Sequence, residues 1–141
     1  MSVSDPVKEI YDELILRIRE VSDFSDRVYK TVYEKERVVD YPCCYITVQK
    51  VTKGQGALNQ EVWSVIFQTE IVNRTFAKGL PESLGELTNL VKKVEDKLKE
   101  DPSLGGRCND SSVEEPTYRV SKEEGEVWLH AVMGIRALKL V

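Results

Sequence analysis

Hydrophobic and polar residues alternate through residues 61–73, which read Glu-Val-Trp-Ser-Val-Ile-Phe-Gln-Thr-Glu-Ile-Val-Asn. A period of two places successive side chains on opposite faces of a β-strand. One predicted face carries the bulkier set: Trp63, Val65, Phe67, Thr69 and Ile71. At ~3.3 Å per residue the strand would reach roughly 40 Å, well beyond the usual five or six residues. The pattern therefore predicts a long strand at the middle of a sheet.

Two other stretches have the helical period of apolar residues at every third or fourth position. The first is residues 4–22, where Ser4 is the predicted N-cap. The second begins at Pro81 and ends near Glu100, because the residue before Pro102 resists the helical conformation. Ser83 and Glu86 have the spacing of a capping box in this second helix. Each apolar stripe is predicted to pack against the sheet.

Alternation predicts further strands at residues 27–34, 43–51, 117–121 (with a start near Ser112) and 126–141. The element order is then α-β-β-β-α-β-β. This order predicts one α+β domain over residues 1–141, with an antiparallel or mixed sheet and two helices packed on one face. Two helices are not expected to cover both faces of so long a sheet. Apolar residues on both faces therefore predict association with another chain.

Two glycine-bearing segments connect these elements. Residues 52–60 contain Gly54 and Gly56 and are predicted to form the mobile tip of a long hairpin. No helix begins after them, which argues against a dinucleotide-binding loop. Residues 101–106 read Asp-Pro-Ser-Leu-Gly-Gly, and the paired glycines predict a sharp reversal.

Composition narrows the class of protein. The chain has 141 residues, of which 41% are hydrophobic and 31% charged, and its net charge is −4. No broad basic field is present, so specific or non-specific nucleic-acid binding is not expected. No apolar run approaches the ~20 residues of a membrane span. The polar start Met-Ser-Val-Ser-Asp-Pro is unlike a signal peptide.

Few residues are available for catalysis or metal binding. Cys43 and Cys44 are neighbours on a predicted strand and would point to opposite faces, so they cannot easily share a metal ion. Cys108 and the single histidine, His130, do not complete a zinc-ligand spacing. His130 lies within a strand pattern, where a packed histidine is the commoner case. We expect no metal, no cofactor and no enzymatic activity, although an enzyme that uses His130 with an acidic residue stays open.

Four features together resemble a known family. They are the N-terminal amphipathic helix, the segment Tyr-Pro-Cys-Cys-Tyr-Ile-Thr-Val at residues 41–48, the long alternating strand, and the second helix running into Asp-Pro-Ser-Leu-Gly-Gly before a closing strand. In this order they resemble the tail terminator and tail-completion proteins of long-tailed bacteriophages, the group that includes the lambda minor tail protein U. The resemblance covers nearly the whole chain, and the Asp-Pro-Ser-Leu-Gly-Gly segment is its most specific part.

The resemblance implies a structural protein of the virion tail that is present in the host cytoplasm during assembly. Such proteins form hexameric rings that cap the tail tube, end its polymerisation and prepare its joining to the head. The implied partners are further copies of the chain, the tail tube protein and a head-completion or connector protein. The candidate interface residues lie in the two glycine-bearing segments: Lys53, Gly54, Gln55, Gly56, Leu58, Leu104, Gly105 and Gly106.

Two other functions remain compatible with the sequence. One is a different connector or neck subunit of the same virus, with a similar fold and another position. The other is a cellular α+β module that binds proteins and has no viral role.

Overall fold

A computed structural model describes residues 5–24, 27–30, 42–56, 60–75, 79–123 and 125–141. Two α-helices and six strands make up these residues, with one turn of 3-10 helix at Ser22–Phe24. The elements are α1 (Pro6–Arg19), β1 (Val28–Tyr29), β2 (Cys43–Gln55), β3 (Glu61–Thr75), α2 (Leu80–Lys99), β4 (Asp110–Val113), β5 (Thr117–Glu123) and β6 (Glu126–Leu140). The α+β class, with a mixed sheet and both helices on one side, is confirmed.

The six strands form one sheet in the order β1-β2-β3-β6-β4, and β5 also pairs with β6. β1 runs parallel to β2, whereas every other pairing is antiparallel. β6 meets two partners in succession: β5 pairs with its first half, and β4 with Ile135 to Leu138. The predicted short strand with a start near Ser112 is therefore two strands, separated by Glu114 to Pro116.

The helix starts differ from their predictions. Asp5 is the N-cap of α1, and its Oδ1 accepts hydrogen bonds from the N–H groups of Val7 and Lys8. The predicted cap Ser4 lies outside the described residues. The capping box at Ser83 is wrong, because α2 begins at Leu80 with Gly79 as its N-cap. Proline lacks an N–H and suits a first helical turn, so the helix begins before Pro81 rather than after it.

The predictions of the three long strands are confirmed. β3 and β6 coincide closely with residues 61–73 and 126–141, and β2 continues past residue 51 to Gln55. Of the strand predicted at residues 27–34, β1 occupies Val28–Tyr29. Residues 31–34 lie outside the described part of the chain.

The main core lies between the helices and one face of the sheet. Val65, Phe67 and Ile71 of β3 are buried there, as their alternation predicts. Alternate residues of β6 join them on the same face: Leu129, Ala131, Met133, Ile135 and Ala137. The helices contribute their apolar stripes: Ile10, Leu14, Ile15 and Ile18 from α1, and Leu87, Leu90, Val91, Val94 and Leu98 from α2.

The opposite face of the sheet carries a second, smaller apolar cluster. Cys43, Tyr45 and Val72 are buried in it, and Tyr29 and Trp128 pack against them. Cys44 belongs to the main core and Cys43 to this cluster, so the prediction that the adjacent cysteines point to opposite faces is confirmed.

The strands extend beyond the helices. The 15 residues of β3 reach about 50 Å, whereas the 20 residues of α2 reach about 30 Å. β2 is buried from Cys43 to Ile46 and exposed from Val48 to Gln55. We call the exposed part of β2 together with residues 61–64 of β3 the hairpin extension.

Phe67 provides a test of the core. Its side chain is fully buried, and its ring stacks on Tyr11 with centroids 5.6 Å apart. Phe67→Ala should lower the free energy of unfolding by roughly 3–5 kcal/mol, because a large cavity replaces the ring. Chemical denaturation measures this change. Leu16→Ala is the matched control, since Leu16 is 55% exposed, and a loss as large as that of Phe67→Ala would contradict the assigned core.

Candidate functional site

The tip of the hairpin extension is an open, polar surface. Lys53, Gly54, Gln55 and Glu61 line a shallow depression of about 490 Å³. The Lys53 Nζ lies 4.1 Å from the centroid of the Trp63 ring, so a cation–π contact holds the two strands together near the tip. These residues are accessible to another chain, as an interface requires.

Gly56 has a steric reason to be glycine. A Cβ at this position would lie 2.8 Å from the Cγ2 of Val62, too close for a real side chain. The N–H of Gly56 donates a hydrogen bond to the carbonyl oxygen of Gln60. Leu58, the apolar candidate of this segment, lies outside the described residues.

The outer edge of β2 is covered only at its beginning. β1 pairs with Cys44 and Tyr45, and the hydroxyl of Tyr11 lies within hydrogen-bonding distance of the Ile46 carbonyl oxygen. From Thr47 to Gln55, β2 has no ladder partner on this side among the described strands. Among the described residues, the hairpin extension therefore presents an open strand edge as well as its tip.

The second candidate segment is a turn organised by Asp101. One carboxylate oxygen accepts hydrogen bonds from the N–H and hydroxyl of Ser103, and the other accepts from the Gly105 N–H at 2.9 Å. Arg17 of α1 approaches the same carboxylate at 3.2 Å. The hydrogen bond from Ser103 is the largest cause that holds the pKa of Asp101 below its usual value, followed by that from Gly105.

Three consecutive residues of this turn have positive φ angles: Leu104 at 50°, Gly105 at 67° and Gly106 at 82°. The predicted reversal is therefore present. Leu104 is fully buried in the main core, where its side chain is not available to a partner, whereas Gly105 and Gly106 are exposed. The turn docks on α1 and the tip is built on β2 and β3, so the structure presents the two candidate segments as separate surfaces.

A polar network that the sequence analysis missed lies on the face opposite the helices. The Oγ of Ser121 is 2.9 Å from the Nε2 of His130, and the Nδ1 of His130 is 2.9 Å from the Oε1 of Glu70. Arg119 approaches the same Glu70 oxygen at 3.3 Å. Alternation placed His130 on this face, but only the pairing of β3, β5 and β6 brings the other residues to it.

The order serine, histidine, carboxylate is that of a nucleophile with its general base. Here all three members lie within paired strands. By contrast, the nucleophile of α/β-hydrolases sits on a sharp turn that presents its oxygen to substrate. His130 is only 5% exposed. Its two hydrogen bonds satisfy a buried imidazole, which favours a structural interpretation of the network.

The cysteines offer no reactive centre. Burial raises the pKa of the Cys108 thiol to about 11 and raises that of Cys44 well above its ordinary value. Both thiols are then protonated near neutral pH and are poor nucleophiles. Across the described residues, His, Cys, Asp and Glu side chains form no cluster suited to a metal ion. No helix in the described ranges is long and apolar enough to cross a membrane.

Asp101 makes the stability of the turn dependent on pH. Because folding lowers its pKa, the carboxylate stabilises the fold above the unfolded-state pKa of about 3.9, and this stabilisation disappears as pH falls through the folded value. Asp101→Asn should lower Tm at pH 7, and its difference from the wild type should shrink in acid. Thermal melts across pH test this, with the exposed Asp96→Asn as the control. A deficit that stays constant down to pH 2 would contradict it.

Substitution of Ser121 distinguishes a structural role of the network from a catalytic one. Ser121→Ala should cost about 1 kcal/mol of stability, because the imidazole loses a hydrogen-bond partner. A fluorophosphonate probe should not label the wild type. Labelling that is present in the wild type and absent from both Ser121→Ala and His130→Ala would instead identify an activated nucleophile.

The sequence matches no protein-family model, and no curated protein matches it. The resemblance to phage tail terminators thus stays a prediction from the sequence.

Proposed function

We propose that this protein is a non-enzymatic subunit of a viral or prophage tail. It forms a ring that caps the tail tube, ends tail polymerisation and prepares the tail for joining to the head. The observation that carries the proposal is the hairpin extension, which projects beyond the helices with exposed apolar and polar residues. Such an exposed projection adds little to the core of its own chain, whereas an assembly subunit can use it to contact a neighbour.

Exposed apolar side chains concentrate at this end of the sheet. Ten large hydrophobic side chains are exposed among the described residues. Five of them lie on the hairpin extension, at the end of β6 beside it, or directly after β6: Val48, Val51, Leu138, Leu140 and Val141. A concentration of exposed apolar residues at one end of a domain is typical of a surface that another chain covers. The extension is therefore the best candidate for contact with a neighbour.

A ring of identical subunits needs a head-to-tail interface made of two different patches. The sheet supplies two unlike borders, β2 with β1 on one side and β4 with β5 on the other. The polar tip at Lys53 to Gly56 lies apart from the helices and is free to contact another protein, such as the end of the tail tube. These features support a cyclic assembly with a separate surface for a second partner.

The test begins with the purified chain. Size-exclusion chromatography with light scattering should give the mass of six subunits, and negative-stain images should show a ring. A chain that remains monomeric at high concentration and does not bind tail tubes would overturn the proposal. A ring that does not bind tubes would favour another connector or neck subunit, and a small open oligomer would favour a cellular interaction module.

Removing the tip tests its role. Deletion of residues 54–59 lets the ladder close at the Lys53–Trp63 pair, and shortening a loop changes closure entropy by only a fraction of a kcal/mol. The variant should keep the wild-type Tm and lose the capping of tail tubes in an assembly assay. Lys92→Ala, on the exposed side of α2, is the control that should keep both. Normal capping by the deletion would show that the tip is dispensable.

A further inference from the structure

The free edge of β2 and the edge of β4 lie at the same level on opposite borders of the sheet. Val51 pairs with Val65, Val65 with Ala137, and Ala137 with Ser111 of β4. No described strand pairs with the outer side of either segment. β4 is separated from β2 by three antiparallel steps, so it runs antiparallel to β2. A rotated copy of the chain would therefore present β4 antiparallel to β2.

Side chains on these two edges are complementary in shape. Val48 and Val51 are 40% and 41% exposed, and both point to the helix side, because they pair with the core residues Phe67 and Val65. Beside β4, on that same side, is a cavity of about 220 Å³ between the strand and the end of α2. Its lining is Leu98, Lys99, Pro102, Ser111, Ser112 and Val113. The β2 edge carries exposed apolar side chains, and the β4 edge lies beside a cavity that can accept them.

The two edges are also complementary in charge. From Thr47 to Gln55, β2 carries Lys50 and Lys53 and no acidic residue. From Asn109 to Pro116, β4 and its flank carry Asp110, Glu114 and Glu115 and no basic residue, and Arg136 of β6 pairs with Glu114 at 3.6 Å, which leaves Asp110 and Glu115 as the main charges of this edge. Opposite charges across an interface favour the intended pairing and disfavour like with like.

We infer that subunits join by antiparallel pairing of the β2 edge of one copy with the β4 edge of the next, with Val51 seated beside Leu98 and Pro102. Across the interface, the edge backbone groups that no described strand pairs would complete one continuous sheet, as in strand addition. The inference rests on the proposed ring, whose subunit contact it specifies.

Edge strands are usually protected against pairing by lysines and bulges, and β2 has both, with a register shift between Val48 and Lys50. The lysines repel a second β2 edge, and the carboxylates repel a second β4 edge. The unlike pair is the combination that these charges allow, which makes the contact head-to-tail rather than two-fold. The charged residues on the two edges therefore favour pairing of β2 with β4 and disfavour the pairing of like edges.

Engineered disulfides test the pairing. Lys50 and Ser112 lie on the same face, and within one chain they are three strand spacings, about 14 Å, apart, beyond the ~7 Å that a disulfide spans. Oxidation of the double variant Lys50→Cys/Ser112→Cys, or of Lys50→Cys/Asp110→Cys if the register is offset, should give a ladder of cross-linked oligomers on non-reducing gels. Lys50→Cys with Thr88→Cys on α2 is the matched control, and the native cysteines are buried.

A second variant tests the apolar contact. Val51→Lys places a positive charge in the proposed cavity, whose lining already includes Lys99, and should weaken oligomerisation at least about tenfold in sedimentation velocity. Val120→Lys is the control, because Val120 is a similarly exposed strand residue (48%) on β5, outside the interface. Circular dichroism should show both variants folded.

The outcomes separate this inference from the proposed function. A wild-type ring that neither double variant cross-links and that tolerates Val51→Lys overturns the edge pairing and leaves the ring standing. Cross-linked chains without a closed ring uphold the pairing and overturn the ring. A wild type that is monomeric and yields no cross-links overturns both.

Discussion

The antiparallel ladder between β3 and β6 is the constraint on which the rest of the structure depends. It runs without a register shift from the Val62–Leu140 pair to the Thr75–Val127 pair. This pairing puts the alternate apolar residues of both strands on one face, where the helices cover them. It also sets the level at which β2, β4 and β5 attach. The main core, the two borders of the sheet and the polar network around His130 all depend on this ladder.

A strand is longer than a helix with a similar number of residues. As a result, one end of the sheet in this fold is not covered by the helices. An α-helix rises 1.5 Å per residue and a strand about 3.3 Å, so α2 cannot cover the full length of β3. The uncovered end carries a large share of the exposed apolar side chains, together with a free edge and a polar tip. The proposed assembly role follows from this excess of sheet over helix.

The same sheet explains why a histidine flanked by serine and glutamate does not by itself indicate catalysis. Ser121, His130 and Glu70 come together because pairing fixes their strands side by side. Their hydrogen bonds satisfy buried polar groups on a face that the two helices leave uncovered. The edges of β2 and β4, by contrast, have backbone groups that no described strand pairs, so a partner strand would gain most there.

The sequence by itself determined the features that depend on local periodicity. The alternation of Val65, Phe67 and Ile71 and the helical stripes of α1 and α2 specify which face of each element is apolar, and these features predicted the α+β class. The Asp-Pro-Ser-Leu-Gly-Gly segment likewise predicted a reversal, because glycine accepts positive φ readily.

Tertiary structure alone decided what depends on contacts between distant segments. These are the parallel course of β1, the division into β4 and β5, the burial of Leu104, and the meeting of Glu70 with His130 and Ser121. The register of each strand and its choice of partner strand arise from packing between residues far apart in the chain. The residues next to a given position in the sequence do not specify this packing. The two matching edges became visible only when the register placed Val51 and Ser111 at one level.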